Sequence, residues 1–391
     1  MASIYCRSLN LNAISSSAFL FGPRMTGKSR LLETIQADLF IDLLDPERQL
    51  DYMRHPRLLW EQMETLPAGS RIIIDEIQRV PALLDYVQMG IQKKEFQFFL
   101  SGSSARKLRR SGANLLGGRA IDLRLHPLTC EELGNSFSIH RALDRGTLPR
   151  ISSLLEESNE REAILLLKSY VTTYLKEEIQ AEAIVRTIAG FSRFLEVAAH
   201  SNGQMIEYST LGRDCSVPAS TVKEYYSILE DTLLGQFVWP IHRSTRKKAR
   251  PRFYFFDCGV VRALQGRLDA RPSPEETGFL FETWLLHEIL AHRNYSQKTF
   301  EVGLWREGMH EIDFLIHRQD HPVLAIECKS GKSIHVTPAM KAFRQKHPMV
   351  PLIVASLQDE CPRSIGGIAG EAIEVLPWRE TLDRVRTITS V

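Results

Sequence analysis

Cysteine is scarce in this chain and follows no pattern. Its six, Cys6, Cys130, Cys215, Cys258, Cys328 and Cys361, include no C-x-x-C pair. That spacing argues against a zinc site or a disulfide framework and fits a reducing cytosol. Long apolar runs are also missing. No segment is long and apolar enough to span a bilayer, and the N-terminus lacks the apolar centre of a signal peptide. The expectation is a cytoplasmic protein without a membrane partner. Charge of one sign is missing as well: 49 Lys and Arg against 47 Asp and Glu leave a net charge of +2. Any surface for nucleic acid must therefore be local. What remains is ordinary globular composition, 43% hydrophobic and 25% charged over 391 residues, enough for roughly two or three domains.

Against this background one stretch stands out, FLFGPRMTGKSRLL. Gly22, Pro23, Arg24, Met25, Thr26, Gly27, Lys28 and Ser29 complete the pattern G-x-x-x-x-G-K-[ST]. The apolar run from Ala18 to Phe21 reads as a buried strand before it, and Ser29 to Asp38 reads as a helix after it. Glycines at both ends of the loop let backbone N–H groups turn toward a triphosphate at the start of that helix. Lys28 would reach the terminal phosphates and the Ser29 hydroxyl would hold Mg²⁺. The expected cofactors are ATP and Mg²⁺.

A phosphate loop needs an acid on a neighbouring strand. The run Ile72 to Ile74 suits a strand covered on both faces, and Asp75 and Glu76 follow at its carboxyl edge, where open α/β sheets bind ligands. Asp75 suits the metal, while Glu76 is placed to orient an attacking water. A further strand from Phe96 to Leu100 runs into Ser101-Gly102-Ser103-Ser104, so Ser101 and Ser103 are candidates to position that water. Arg119, after Gly117-Gly118, is a candidate to meet charge developing on the γ-phosphate, with Arg106, Arg109 and Arg110 as competitors.

GPRMTGKS, IIIDEIQRVP, FFLSGSSA, LLGGRA and LHPLTCEEL stand in the order found in a bacterial and archaeal family of AAA-type ATPases, which the chain resembles along its length. The resemblance implies phosphate binding by Gly22 to Ser29 and metal and water roles for Asp75 and Glu76. It places Ser103 in the sensor segment and Arg119 on the family's GR arginine. An arginine acting in trans requires an assembly, so an ATP-dependent homo-oligomer is one arrangement the reading allows.

Gly146-Thr147-Leu148-Pro149 punctuates the end of the first domain, taken as residues 1–150. The stretch from Glu156 to Ile184 is helical in its apolar spacing. A helix from Phe191 to Ser201, a short helix at Tyr208 to Leu211, a turn at Val217-Pro218, a helix to Leu234 and a strand from Gln236 to Ile241 follow. That order suggests a winged helix-turn-helix within a middle region, residues 151–245, with Ser220, Thr221 and Lys223 where base edges would be read. Glu224, Glu230 and Asp231 on the same helix repel phosphates, so packing against protein is an equal reading. The acid-free basic segment 243–252 is the stronger signal for DNA.

The last region, residues 246–391, holds a hairpin. His310 to His317 alternate in period two, Arg318 to Pro322 turn, and Val323 to Lys329 return. With the turn centred on Asp320, Asp313 faces Glu327, and Lys329 shares the face of Glu327. Ile312, Phe314, Ile316, Leu324, Ile326 and Cys328 are expected on the opposite face. This D…E-x-K arrangement resembles the PD-(D/E)xK, restriction-endonuclease-like fold. That resemblance implies metal held by Asp313 and Glu327, water activated near Lys329, and Glu282 of GFLFETWLLHEIL as the helix glutamate of the same metal site. The fold expected is α/β throughout: a P-loop AAA-type parallel sheet, a helical and winged-helix-like middle, and a restriction-endonuclease-like domain. The function expected is ATP hydrolysis joined to DNA binding and metal-dependent cleavage. A nucleotide-controlled switch that binds DNA or protein without cutting is the alternative.

Overall fold

Apolar runs without alternation mark strands covered on both faces, and the first unit shows why. A computed structural model of the chain describes residues 5–103, 116–174, 188–241, 250–319, 321–368 and 371–390. Its first elements are β1 (Ser17–Phe21), α1 (Lys28–Leu32), β2 (Leu39–Asp42), α2 (Pro46–Arg54), α3 (Leu58–Glu64), β3 (Arg71–Asp75), α4 (Leu83–Lys94), β4 (Gln97–Gly102) and β5 (Ala120–Arg124). The five strands form a parallel sheet in the order β2-β3-β4-β1-β5. Along β1, Phe19 and Phe21 enter one core while Ala18 and Leu20 enter another. Helix α1 is shorter than the expected run to Asp38. It ends at Leu32, where the Thr34 hydroxyl bonds back to the Leu31 carbonyl and the Asp38 amide is already held by the Arg71 carbonyl beside β3.

The middle unit continues with α5 (Cys130–Leu133), α6 (Ile139–Arg145), α7 (Pro149–Glu156), α8 (Glu160–Ser169), α9 (Ile188–His200), α10 (Tyr208–Cys215), α11 (Ala219–Asp231), β6 (Gly235–Val238), β7 (Arg252–Phe255) and α12 (Cys258–Leu264). The helix expected from Glu156 is broken at its start: Ser158 takes a φ of 58° and the Asn159 side chain caps α8. The end of that stretch, residues 175–184, lies outside the described residues. Helices α10 and α11 pack closely through Gly212, where a Cβ would stand 2.7 Å from the Val217 carbonyl oxygen. The β6–β7 pair crosses position 245, so a domain division there would separate two bonded strands. Phe194, Tyr225, Tyr226 and Phe253 form the aromatic centre of this unit.

The last unit is α13 (Pro274–Tyr295), β8 (Glu301–Glu307), β9 (His310–Arg318), β10 (His321–Lys329), α14 (Pro338–Lys346), β11 (Leu352–Ser356), β12 (Arg363–Ile368), β13 (Glu371–Pro377) and α15 (Trp378–Ser390). Its six-stranded mixed sheet has the order β12-β13-β11-β10-β9-β8. Strands β8, β9 and β10 form an antiparallel meander, and β11 runs parallel to β10. The hairpin pairs Phe314 with Ile326 and Ile316 with Leu324, the register read from the sequence. One face assignment is corrected. β8 pairs Gly303 with Leu315 but Trp305 with Ile312, a bulge around Asp313 and Phe314. Ile312 therefore joins Leu315 and Ala325 in one core, while Phe314 and Ile316 join the core shared with α13.

Candidate functional site

The phosphate-loop candidates come together at the carboxyl edge of the parallel sheet. Gly22 leaves β1 so close to β5 that a Cβ would lie 2.5 Å from the Leu125 carbonyl oxygen. Gly27 caps α1 with a φ of 91°, a left-handed conformation that favours glycine. The Thr26 hydroxyl donates to the Pro23 carbonyl at 2.8 Å. Buried Lys28 Nζ donates to the carbonyls of Gly22 and Pro23 at 2.8 and 3.1 Å. The loop is also held from outside: Arg7 donates to the Thr26 carbonyl at 2.7 Å, and Met25 packs on the core of the middle unit.

Asp75 ends β3 and is 2% exposed. The fully buried Ser101 hydroxyl donates to Asp75 Oδ1 and accepts the Glu76 amide at 2.9 Å. Glu76 sits at a φ of 60°, and its carboxylate accepts from the Gln78 amide. The acidic pair is thus tied to β4 through Ser101. Ser103 is buried just past the end of β4, two residues after Ser101. A hydroxyl from Ser29 and a carboxylate from Asp75 are the hard oxygen donors that Mg²⁺ takes.

Arg119 stands elsewhere. It precedes Ala120, which pairs with Ser17 at the amino end of β1, whereas the phosphate loop leaves the other end at Phe21. At roughly 3.3 Å per residue the two ends of β1 are about 13 Å apart. Exposed Arg119 therefore lies at the opposite edge of the sheet from its own phosphate loop. Arg124, opposite Phe21, is the arginine of β5 at the ligand edge, and with Pro23 and Arg293 it lines a cleft of about 1910 Å³. Nothing in the local sequence distinguished it; only strand register does. Arg106, Arg109 and Arg110 lie outside the described residues.

A second group forms where α13 meets the β9–β10 hairpin. Asp313 Oδ2 accepts the Cys328 amide at 2.9 Å, which locks the two strands together beside the acids. Lys329 Nζ donates to Glu327 Oε1 at 2.7 Å, while Glu327 Oε2 is buried without a hydrogen-bond partner among the described residues. Glu282 on α13 accepts from the Tyr254 hydroxyl at 2.7 Å. Burial, and then the neighbouring Asp313 carboxylate, push both Glu282 and Glu327 up from the ordinary carboxylate range. Arg252 opposes this at Glu282, and Lys329 opposes it at Glu327.

Arg252 is the residue that the linear reading misplaced. It ends the segment expected to track a DNA backbone, but its side chain is only 14% exposed and turns inward. Its guanidinium lies 3.0 Å from Asp313, 3.2 Å from Glu282 and 2.8 Å from Glu311. Arg250 pairs with Glu207, and residues 242–249 lie outside the described residues. Among the described residues no three His, Cys, Asp or Glu side chains are gathered at metal-site spacing. The orphaned Glu327 oxygen and the three carboxylates nevertheless supply the donor chemistry of a hard divalent cation.

Comparison with known proteins divides the chain into three matched segments. Residues 15–134 match an AAA domain, residues 136–271 a domain of unknown function (DUF8612), and residues 277–374 a second domain of unknown function (DUF4143). The phosphate loop and the parallel sheet thus fall within the segment that is similar to an AAA domain. An uncharacterized protein of Haemophilus influenzae is 22% identical over 341 residues, covering 82% of this chain and 80% of its own. The structure of the Aeropyrum pernix ORC1 protein in complex with DNA aligns at 12% identity over 64% of this chain and 86% of that one. Its TM-score is 0.31. Among the described residues no helix is long and apolar enough to cross a membrane.

Proposed function

We propose that the chain is a Mg²⁺-dependent ATP-binding and ATP-hydrolysing protein coupled to a nuclease-like, DNA-interacting C-terminal domain. The observation that carries the first half is the Asp75–Ser101–Glu76 network beside a complete phosphate loop. Binding alone needs one acid; a second, held at a fixed backbone angle, suits a base that orients water. Ser29 and Asp75 would hold the metal, which neutralises charge on the β- and γ-phosphates. Lys28 would leave the loop carbonyls for the phosphates, and Glu76 would take the water's proton. Arg119, placed at the far sheet edge, suits a role only toward a neighbouring chain.

For the C-terminal half, the order α13, β8, β9, β10, α14, β11 with β11 parallel to β10 supports the restriction-endonuclease-like reading. Glu282, Asp313 and Glu327 would hold a divalent cation, which supplies charge neutralisation and an acidified water. Lys329 is positioned to orient that water. Exposed Ser220 and Lys223 at the start of α11 are available to a duplex. A switch that binds DNA or protein without cutting is the second reading, favoured by the seat of Arg252 among the acids.

Two assays test the proposal. Lys28→Ala is expected to abolish ATP hydrolysis; a wild-type rate would refute the first half. Supercoiled DNA incubated with Mg²⁺ or Mn²⁺, with and without ATP, is expected to be cut by the wild type and not by Asp313→Ala. ATP-dependent binding without cutting would favour the switch.

A further inference from the structure

We propose that Arg252 is a built-in competitor of the divalent cation at the carboxylate cluster, so that the site takes up metal only when this arginine withdraws. The inference rests on the metal-site reading above. Arg252 belongs neither to α13 nor to the sheet that carries the acids. Its backbone is bonded into the middle unit, where it pairs with Val238 and bridges Met205. From there the side chain crosses to the C-terminal unit and places one nitrogen, Nη1, between Glu282 Oε2 and Asp313 Oδ1 at 3.2 and 3.0 Å. The second nitrogen, Nη2, takes Glu311 at 2.8 Å.

A guanidinium in this seat uses the same carboxylate oxygens that a hard cation needs. Two cations cannot share them, because like charges at such separations repel strongly where water is scarce. Burial by itself would lower the affinity of Arg252 for its proton. The Tyr254 hydroxyl and the Asp313 and Glu282 carboxylates outweigh burial and keep it charged. The fit is incomplete in two respects. Arg252 Nε is buried with no hydrogen-bond partner among the described residues, and Glu327 Oε2 is left equally unmet. The arginine therefore neutralises Glu282 and Asp313 without completing the set, leaving an acceptor that only a second donor or a metal would satisfy. Because its backbone is anchored elsewhere, metal loading is tied to the placement of the middle unit against the C-terminal one.

The test is a titration of the full chain with Mn²⁺, following free Mn²⁺ by its electron paramagnetic resonance signal. Arg252→Met is expected to bind Mn²⁺ at least tenfold more tightly than the wild type, and adding Asp313→Asn is expected to remove that binding. Arg252→Lys, which keeps a charge but not the fork, is expected to fall between the wild type and the Met variant. Mn²⁺ should also raise the melting temperature of Arg252→Met more than that of the wild type. If Arg252→Met fails to fold, Arg252→Gln carries the same expected ordering. Equal or weaker Mn²⁺ binding in the folded Met or Gln variant would overturn the inference while leaving the metal site standing. Absence of Mn²⁺ binding in every folded variant would overturn both.

Discussion

Replacing Ser101 by Ala isolates the link between the two acids of the first site. The hydroxyl is fully buried, donates to Asp75 and accepts the Glu76 amide at 2.9 Å. Removing it deletes a hydrogen bond to a charged group, worth about 1.5–3 kcal/mol, and leaves the part-buried Glu76 amide unmet, at most about 1–3 kcal/mol. The amide term acts on the ground state and should appear as lost stability, a lower urea midpoint at unchanged slope. The Asp75 term acts where metal and phosphate charge must be met, so it should appear in turnover. At about 1.4 kcal/mol per factor of ten, a loss of roughly 10- to 150-fold in kcat follows, with ATP affinity less affected. Glu76 is sensitive because its φ of 60° is held in part by this bond. Steady-state hydrolysis by Ser101→Ala and Ser103→Ala, side by side, checks the reasoning. Ser103 makes no such bridge among the described residues, and its variant should remain within a few-fold of the wild type. Full activity in Ser101→Ala together with a large loss in Ser103→Ala would refute the assignment.

Three further outcomes are expected. Gly22→Ala forces a Cβ to 2.5 Å from the Leu125 carbonyl oxygen, so nucleotide binding should be lost and stability should fall by about 1–3 kcal/mol, the usual cost of overpacking; fluorescence of a labelled nucleotide and urea melts measure both. Arg119→Ala and Lys28→Ala should each be inactive alone but recover part of the hydrolysis when mixed, because Arg119 lies at the sheet edge away from its own loop; no recovery at any mixing ratio would refute a role in trans. Glu288, whose carboxylate accepts from the Cys130 amide, is pushed up from 4.5 to about 8, chiefly by burial. The native state then holds a proton that the unfolded chain releases, so the stability of the wild type relative to Glu288→Gln should decline as pH rises from 4.5 toward 8 and level off above it. Paired thermal melts across that range check the slope.

Much of the first site is legible in the linear chain because its parts are local. Gly22 to Ser29 are contiguous, Asp75 and Glu76 are adjacent, and unbroken apolar strands signal a sheet covered on both sides. The hairpin of Asp313 and Glu327 is legible for the same reason, since a tight turn fixes register. What escaped reading depends on distant pairing. The seat of Arg252 is set by contacts 30 and 61 residues along the chain, and a basic run gives no sign that its last arginine turns inward. The bulge at Asp313–Phe314 needs β8 as a partner before Ile312 can change faces. In sequence only Arg119, after two glycines, stands out; the parallel register of β1 and β5 places Arg124 instead at the edge where the phosphate loop leaves the sheet.

Glu76→Gln tests the central claim most directly, because it separates holding a nucleotide from consuming it. With ATP binding and phosphate release measured on one preparation, the variant is expected to bind ATP about as well as the wild type and to release phosphate at least 100-fold more slowly, the scale of a lost general base. Phosphate release at the wild-type rate would contradict the account.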